Sequence, residues 1–162
     1  MIGITVFTPL YNRASLLRDV YESLLKQNYH SFEWVIVDDG STDNAEQIVN
    51  TLIGDAIHTF PISYIWKENG GKHTAINRGV EEAKGELFLI LDSDDTLPAD
   101  SLATIAQYYE QCKGYKDCAG VCGLMAHHDG QLIGTGFPKE PMYESALQFR
   151  YAEKGNVTGD LL

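Results

Sequence analysis

Three carboxylates lie within four positions at the end of an apolar run, in the segment Leu91-Asp92-Ser93-Asp94-Asp95. Carboxylates crowded in this way repel one another, so the cluster costs stability unless a cation or hydrogen-bond donors lie among them. Hard oxygen ligands suit Mg²⁺ and Mn²⁺, and these ions often hold substrate phosphates as well. The segment therefore predicts a site for Mn²⁺ or Mg²⁺. The structural alternative is a polar turn leading into a helix, since acidic residues favour a helix N-terminus.

Other polar residues with chemical potential also follow apolar segments. Asp38-Asp39-Gly40-Ser41 comes after Trp34-Val35-Ile36-Val37, and Gly70-Gly71-Lys72 lies in a later loop. A nucleotide diphosphate suits this mixture, because a carboxylate accepts hydrogen bonds from a base or ribose. A divalent ion bridges phosphate oxygens, and Lys72 could share the charge of a departing diphosphate. Arg78 is a further cation, but a surface helix explains it at least as well.

The hydrophobic periodicity alternates between strand and helix along the chain. Strands are predicted at residues 2–8, 32–37, 62–66 and 87–91, with Pro9 ending the first of them. Helices are predicted at residues 14–27, 43–53, 75–83 and 100–109. Four such pairs predict an α/β fold with a mainly parallel sheet, in which ligands gather at the carboxyl ends of the strands. The polar segments should therefore meet at one edge of the sheet.

Beyond Cys112 the pattern weakens. A strand at residues 119–125, a turn at Asp129-Gly130 and a second strand at Leu132-Ile133 predict a hairpin. A short helix is predicted near residues 144–151. We find no repeat, low-complexity segment or linker, so the sequence predicts one domain over residues 1–162.

Composition narrows the class of protein. The formal net charge of −11 disfavours general nucleic-acid binding, which needs a basic excess. The start of the chain carries no basic leader, and no apolar run approaches the ~20 residues of a spanning helix. The three cysteines, Cys112, Cys118 and Cys122, form no CxxC pair, so we expect reduced thiols in a cytoplasmic protein. A metal site that combines them with His127 and His128 is disfavoured, because zinc ligands usually come in tighter pairs.

Four segments in this order resemble the inverting glycosyltransferases of family 2, which have the GT-A fold. They are Thr5-Val6-Phe7-Thr8-Pro9-Leu10-Tyr11-Asn12-Arg13, Val37-Asp38-Asp39-Gly40-Ser41-Thr42-Asp43, Asn69-Gly70-Gly71-Lys72 through Ala75-Ile76-Asn77-Arg78-Gly79, and Leu91-Asp92-Ser93-Asp94-Asp95. Each segment alone is weak evidence, whereas four with fitting spacing are specific. The resemblance covers residues 2–110 well and the remainder thinly. It implies a Rossmann-like, three-layer α/β/α domain with a mainly parallel central sheet.

The resemblance also implies roles for particular residues. Asp39 would hydrogen-bond the base, most simply uracil, Lys72 would lie near the diphosphate, and Asp92-Ser93-Asp94 would be the DxD motif that contacts ribose and metal. Asp94 and Asp95 are the implied metal ligands, and the choice between them as the direct ligand stays open. The implied nucleotide-sugar-binding residues are Pro9, Leu10, Tyr11, Asn12, Arg13, Asp38, Asp39, Gly71, Lys72, Asp92 and Ser93.

The activity implied is transfer of a sugar, with inversion, from a nucleotide-sugar donor such as a UDP-sugar to a glycan or lipid-linked acceptor. The general base is not assigned, because no motif distinguishes Glu140, Glu144, Glu153 or Asp160. We expect a truncated domain, with a donor-binding half at residues 1–110 and an incomplete acceptor-side half at residues 111–162. Family analogy places such an enzyme in the cytoplasm, at the inner face of the cell membrane with peripheral association.

Other classes of protein fit less well. A dinucleotide-binding oxidoreductase would need GxGxxG after the first strand, and a sugar nucleotidyltransferase would need a glycine-rich N-terminal phosphate loop. A receiver-like signalling domain would not put the strongest acidic cluster after the fourth strand. A non-catalytic or truncated nucleotide-sugar-binding module remains the main alternative.

Overall fold

A computed structural model describes residues 3–55, 57–127 and 129–134. The chain divides into two compact units, Met1–Gln111 and Cys112–Leu162. The candidate general bases Glu140, Glu144, Glu153 and Asp160, and the helix predicted near residues 144–151, lie outside the described residues.

The first unit alternates strands and helices as the periodicity predicts. Its elements are β1 Ile4–Leu10, a 3₁₀ turn Ala14–Leu16, α1 Leu17–Leu25, β2 Phe32–Asp38, α2 Ala45–Ile53, β3 Ile62–Trp66, α3 Lys72–Glu82, β4 Leu87–Ile90 and α4 Ser101–Cys112. The four strands pair in the order β3-β2-β1-β4, and every pairing is parallel. The predicted α/β fold with a parallel sheet is therefore confirmed.

Helices cover both faces of this sheet. Phe7 of β1 and Val35 and Val37 of β2 form a buried cluster with Ala75 of α3. On the opposite face of β2, Trp34 stacks on Tyr21 of α1 with ring centroids 6.3 Å apart. Because successive strand residues point to opposite faces, α1 and α3 lie on opposite sides of β2. Burial on both faces explains why β2 is an unbroken apolar run apart from its Glu33 and Asp38.

The prediction that Pro9 ends the first strand is wrong, because β1 continues to Leu10. The main-chain oxygen of Leu10 accepts a hydrogen bond from Asp39, so the main-chain groups of Leu10 face β2. Those of Pro9 face the other way, toward β4, whose pairing with β1 has already ended at Ile90. The missing N–H of the proline therefore costs no ladder hydrogen bond here.

In the second unit, the predicted strand at residues 119–125 is absent. An antiparallel bridge joins Ala126 to Leu132, and Ile133 N donates to Met125 O. The turn prediction at Asp129-Gly130 fits the positive φ of 84° at Gly130. The segment is short and exposed, so little burial supports a longer ladder.

The expectation of three reduced thiols is also wrong, because Cys112 and Cys118 form a disulfide. Successive turns, from Tyr115 N to Cys112 O and from Cys118 N to Tyr115 O, bring their Cα atoms to 5.9 Å. The spacing of two cysteines in the sequence does not show that consecutive turns bring them together. The Cα distance in the folded chain does, because it lies within the range of a disulfide.

No helix in the described part of the chain combines the length and the apolar character needed to cross a membrane.

Candidate functional site

A cleft of about 490 Å³ opens at the carboxyl ends of β1, β2 and β4. Parallel strands put their carboxyl ends on one edge, so residues that follow different strands converge there. The volume is that of an ordinary small-molecule site. Its lining residues are Pro9, Leu10, Tyr11, Arg13, Asp39, Lys72, Ala75, Asp92, Ser93 and Asp94.

Asn12, a predicted binding residue, is exposed and is not among the residues that line the cleft. Its backbone has a positive φ of 51°, which asparagine tolerates better than most residues. Its N–H donates to Ser41 Oγ over 2.9 Å, and its side-chain Oδ1 accepts from Thr42 N over 2.8 Å. Asn12 thereby ties the loop after β1 to the loop after β2, and the neighbouring Tyr11 is 51% exposed at the cleft.

Asp38 is buried, and both of its oxygens have partners inside the protein. Oδ1 accepts from Ser41 N over 2.7 Å, and Oδ2 accepts from the Tyr64 hydroxyl over 2.6 Å. Burial and this hydrogen bond to Asp38 raise the pKa of Tyr64, so the phenol remains a donor. Asp38 shapes the loop after β2 and does not line the cleft.

Asp39 lines the cleft although its side chain is only 5% exposed. Lys67 Nζ donates to Oδ1 over 2.5 Å, and the main-chain N–H groups of Gly70 and Gly71 donate to Oδ1 and Oδ2 over 3.0 and 2.7 Å. Burial, the largest single influence, raises the pKa of Asp39. The hydrogen bonds and the Lys67 charge together outweigh burial and hold that pKa below its usual range. Asp39 is therefore an ionised hydrogen-bond acceptor.

Gly71 supports the cleft through its backbone. It precedes α3 with a φ of +92°, in the region that favours glycine, and its N–H binds Asp39. The turn lets α3 begin at Lys72, whose side chain lines the cleft.

Asp92, Asp94 and Asp95 place one carboxylate oxygen each within 4.8 Å of one another, a spacing that could hold a metal ion. Lys72 Nζ lies 2.7 Å from both oxygens of Asp92, but it hydrogen-bonds to Oδ2 alone. The buried Oδ1 therefore lacks a hydrogen-bond donor among the described residues. Carboxylate oxygens at this spacing are the hard ligands that Mn²⁺ and Mg²⁺ prefer, so this donor set fits either ion.

Two cations face these carboxylates across the cleft. Arg13 Nη1 lies 2.7 Å from Asp94 Oδ2, and Lys72 pairs with Asp92. These side chains are between 37% and 56% exposed. Exposed ion pairs contribute about 0–1 kcal/mol, so the cations can exchange their carboxylate partners for phosphate oxygens at little cost.

Lys67, Thr74 and Ala75 are not among the site residues that the sequence predicted. Thr74 Oγ1 accepts a hydrogen bond from Lys67 over 2.8 Å, and Ala75 lines the cleft. Lys67 directly follows β3, so the rule that sites gather at carboxyl ends could have found it. Arg78 pairs with Glu81 and Glu82 on its own helix, the arrangement expected of a surface helix.

Comparison with known proteins gives one matching family. The sequence model described as "Glycosyl transferase family 2" matches residues 5–155. The chain is 35% identical over 127 residues to glycosyltransferase GlyG of Streptococcus pneumoniae serotype 4, covering 78% of this chain and 40% of that protein. It is 32% identical over 134 residues to chondroitin synthase of Pasteurella multocida, covering 83% of this chain and 14% of that protein. The chain thus spans less than half the length of these relatives.

Solved structures with the GT-A fold match as well. S. aureus TarS 1–349 in complex with UDP superposes with a TM-score of 0.61 at 29% identity, covering 67% of this chain and 32% of that one. Mannosyltransferase PcManGT from Pyrobaculum calidifontis, in complex with GDP-Man and Mn²⁺, gives a TM-score of 0.61 at 30% identity, covering 65% of this chain and 32% of that one. These matches confirm the fold that the sequence predicts.

Proposed function

The chain belongs to glycosyl transferase family 2, and from this premise we propose that it binds a UDP-sugar and transfers the sugar, with inversion, to a glycan or lipid-linked acceptor. The observation that carries the proposal is the convergence of Arg13, Asp39, Lys72 and Asp94 on one cleft. The structural neighbours were solved with UDP, UDP-GlcNAc or GDP-Man, which supports a nucleotide-sugar ligand.

The residues divide the donor between them. The loop of Pro9, Leu10 and Tyr11 would hold the base largely through main-chain groups, with the ionised Asp39 accepting a ring N–H. Asp92 and Ser93 would contact the ribose. Arg13 and Lys72 would turn to the diphosphate, because their present partners hold them weakly.

Asp94 and Asp95, joined by the less exposed Asp92, are the proposed metal ligands. A bound Mn²⁺ or Mg²⁺ would supply Lewis-acid stabilisation of the negative charge on the leaving nucleoside diphosphate. Lys72 would share that charge through its ammonium group, and the half-buried cleft would strengthen both interactions by lowering the local dielectric.

The acceptor hydroxyl would attack the anomeric carbon from the face opposite the diphosphate, after losing its proton to a carboxylate base. That attack would displace the diphosphate and invert the anomeric centre. Family membership supports a glycan or lipid-linked acceptor. With a lipid-linked acceptor, the enzyme would act at the cytoplasmic face of the membrane.

Calorimetric titration with UDP in the presence and absence of Mn²⁺ tests the proposal. We expect UDP binding that requires Mn²⁺ and weakens about 10- to 100-fold in Asp94→Ala, the range that one lost interaction with a charged group predicts. Glu22→Ala is the matched control, because it removes a half-exposed carboxylate from an ion pair on α1, outside the cleft. Metal-independent binding, or equal affinity in Asp94→Ala, would contradict the assignment.

Transfer needs a separate measurement. Release of UDP from a UDP-sugar that depends on added acceptor would distinguish an enzyme from a binding module. The anomeric configuration of the product, read by NMR, would show whether the reaction inverts.

A further inference from the structure

Lys67 contacts both acidic residues at the end of β2: its main-chain N–H donates to Asp38 O over 2.9 Å, and its ammonium pairs with Asp39. It follows the last residue of the edge strand β3, and its side chain is 24% exposed. Its ammonium donates to Asp39 Oδ1 over 2.5 Å, to Glu68 O over 2.5 Å and to Thr74 Oγ1 over 2.8 Å. Three acceptors for the three ammonium protons fix this side chain in one position.

The two oxygens of Asp39 are therefore not equivalent. Oδ1 accepts from Lys67 and from Gly70 N, and the Thr74 hydroxyl lies 3.4 Å away. Oδ2 accepts a hydrogen bond from Gly71 N. This is the single hydrogen bond that Oδ2 forms within residues 3–55, 57–127 and 129–134. A carboxylate oxygen can accept about two hydrogen bonds, so Oδ2 keeps one acceptor position. Because Asp39 lines the cleft, we infer that this position is the one a ligand would meet.

We propose that Lys67 is a positioning residue that selects the base: it fixes Asp39 so that Oδ2 accepts a ring N–H and thereby favours uracil over cytosine. The inference rests on the proposed function, since it needs a nucleotide in the cleft. An ionised carboxylate can only accept hydrogen bonds. Uracil presents a ring N–H at the edge where cytosine presents a bare ring nitrogen. Two facing acceptors repel and leave both groups unpaired, which costs affinity.

The charged groups around Asp39 show why its ionisation depends on Lys67. Arg13 and Lys72, which line the same cleft, are paired with Asp94 and Asp92. The neighbouring Asp38 is bonded to Ser41 and Tyr64. Among the described residues, Lys67 is thus the cation in direct contact with Asp39. Without it, burial would act against fewer opposing hydrogen bonds, and the pKa of Asp39 would rise. A protonated Asp39 carries an O–H that can donate to the ring nitrogen of cytosine.

The test measures UDP and CDP affinities by calorimetry with Mg²⁺, at pH 7.5 and pH 5.5, for the full chain and its Lys67 variants. The ratio of the two affinities is the readout, because both ligands carry the same diphosphate. We expect the unsubstituted chain to favour UDP at least about 10-fold at both pH values. Lys67→Met should lose most of this preference, and more of it at pH 5.5 than at pH 7.5. Lys67→Arg should restore it.

Two further variants keep the test sharp. Lys26→Met removes an exposed cation at the end of α1 and should behave as the unsubstituted chain does. Lys67→Gln keeps one donor without the charge and should give an intermediate ratio, which also serves if Lys67→Met does not fold. An unchanged ratio in the Lys67 variants would overturn the proposal, as would equal weakening of UDP and CDP. If the unsubstituted chain bound neither ligand, the proposed function itself would fail.

Discussion

Asp38 and Asp39 are adjacent residues of the same type that have different roles. Successive residues at a strand end point to opposite faces of the sheet, so the two carboxylates meet different neighbours. Asp38 meets Tyr64 on β3 and the loop that follows β2. Asp39 meets the glycine loop before α3 and the cleft. The first carboxylate therefore supports the fold, whereas the second joins the fold to the site.

Asp39 should contribute to stability in a pH-dependent way. Its pKa is lower in the folded state than in the unfolded chain. The contribution is therefore present above the unfolded pKa, near 4, and is lost as the pH falls through the folded value. In Asp39→Asn, the amide NH₂ replaces one carboxylate oxygen and cannot accept the hydrogen bonds that Lys67, Gly70 and Gly71 donate. We expect urea unfolding at pH 7 to show a loss of about 1–3 kcal/mol, and a smaller loss at pH 3.

The exposed Asp19→Asn on α1 is the control for this measurement and should change the free energy of unfolding by less than about 0.5 kcal/mol. A deficit in Asp39→Asn that stayed the same at pH 7 and pH 3 would argue against the ionised, hydrogen-bonded Asp39 described above.

Among the elements, α3 connects the core to the cleft. Its first residue, Lys72, and its buried Ala75 both line the cleft, and Ala75 also packs in the core cluster with Phe7. One turn further on, Gly79 lets the helix approach β1 so closely that an added Cβ would lie 2.3 Å from the Phe7 ring. Phe7 is fully buried and stacks on Phe88 at 5.1 Å, so it has little room to move.

Gly79→Ala should therefore destabilise the protein, although the same change in an exposed helix stabilises by about 1 kcal/mol. Overpacking typically costs about 1–3 kcal/mol and would displace α3, so UDP affinity should fall as well. Thermal unfolding and calorimetry measure the two effects. The exposed Asn77→Ala on the same helix gains helix propensity without a clash and should be neutral or slightly stabilising. If both variants had the same thermal stability and the same UDP affinity, the close approach of α3 to β1 would not contribute to stability or binding.

On the scale of the whole molecule, charge and chain division both bear on the site. The formal net charge of −11 repels an anionic nucleotide at long range. Inside the cleft, however, Arg13 and Lys72 each contact a carboxylate, and these cations provide local attraction. Among residues 3–55, 57–127 and 129–134, those that line the cleft all belong to the unit Met1–Gln111. The assignment of donor binding to residues 1–110 stays a prediction, and it can be tested by truncation.

A chain of residues 1–111 should therefore retain donor binding. We expect its affinity for UDP with Mn²⁺ to lie within about threefold of that of the full chain, because all proposed donor contacts are present. Calorimetry on both chains, with circular dichroism to verify folding, makes the comparison. A folded 1–111 chain with more than a 10-fold loss of affinity would place part of the donor site in residues 112–162.

Local patterns account for most of what the sequence predicted. Apolar runs of strand length, helical periodicity and polar residues directly after each strand are all readable within a few positions. They were enough to predict the α/β fold and the convergence of Arg13, Asp39, Lys72 and Asp94 on one edge. The rule that proline ends a strand failed at Pro9. The rule uses only the local sequence, whereas the cost of the missing N–H depends on whether β4 still pairs with β1 at that position.

The sequence by itself determined which chemical groups reach the cleft, since strand ends and their loops are local features. Only the tertiary structure decided which groups pair there. Lys67 reaches Asp39 across 28 positions and Arg13 reaches Asp94 across 81. Those distances in the chain become contacts because the strands pair in the order β3-β2-β1-β4. Strand order results from packing among all the elements, and no single segment of the sequence carries it.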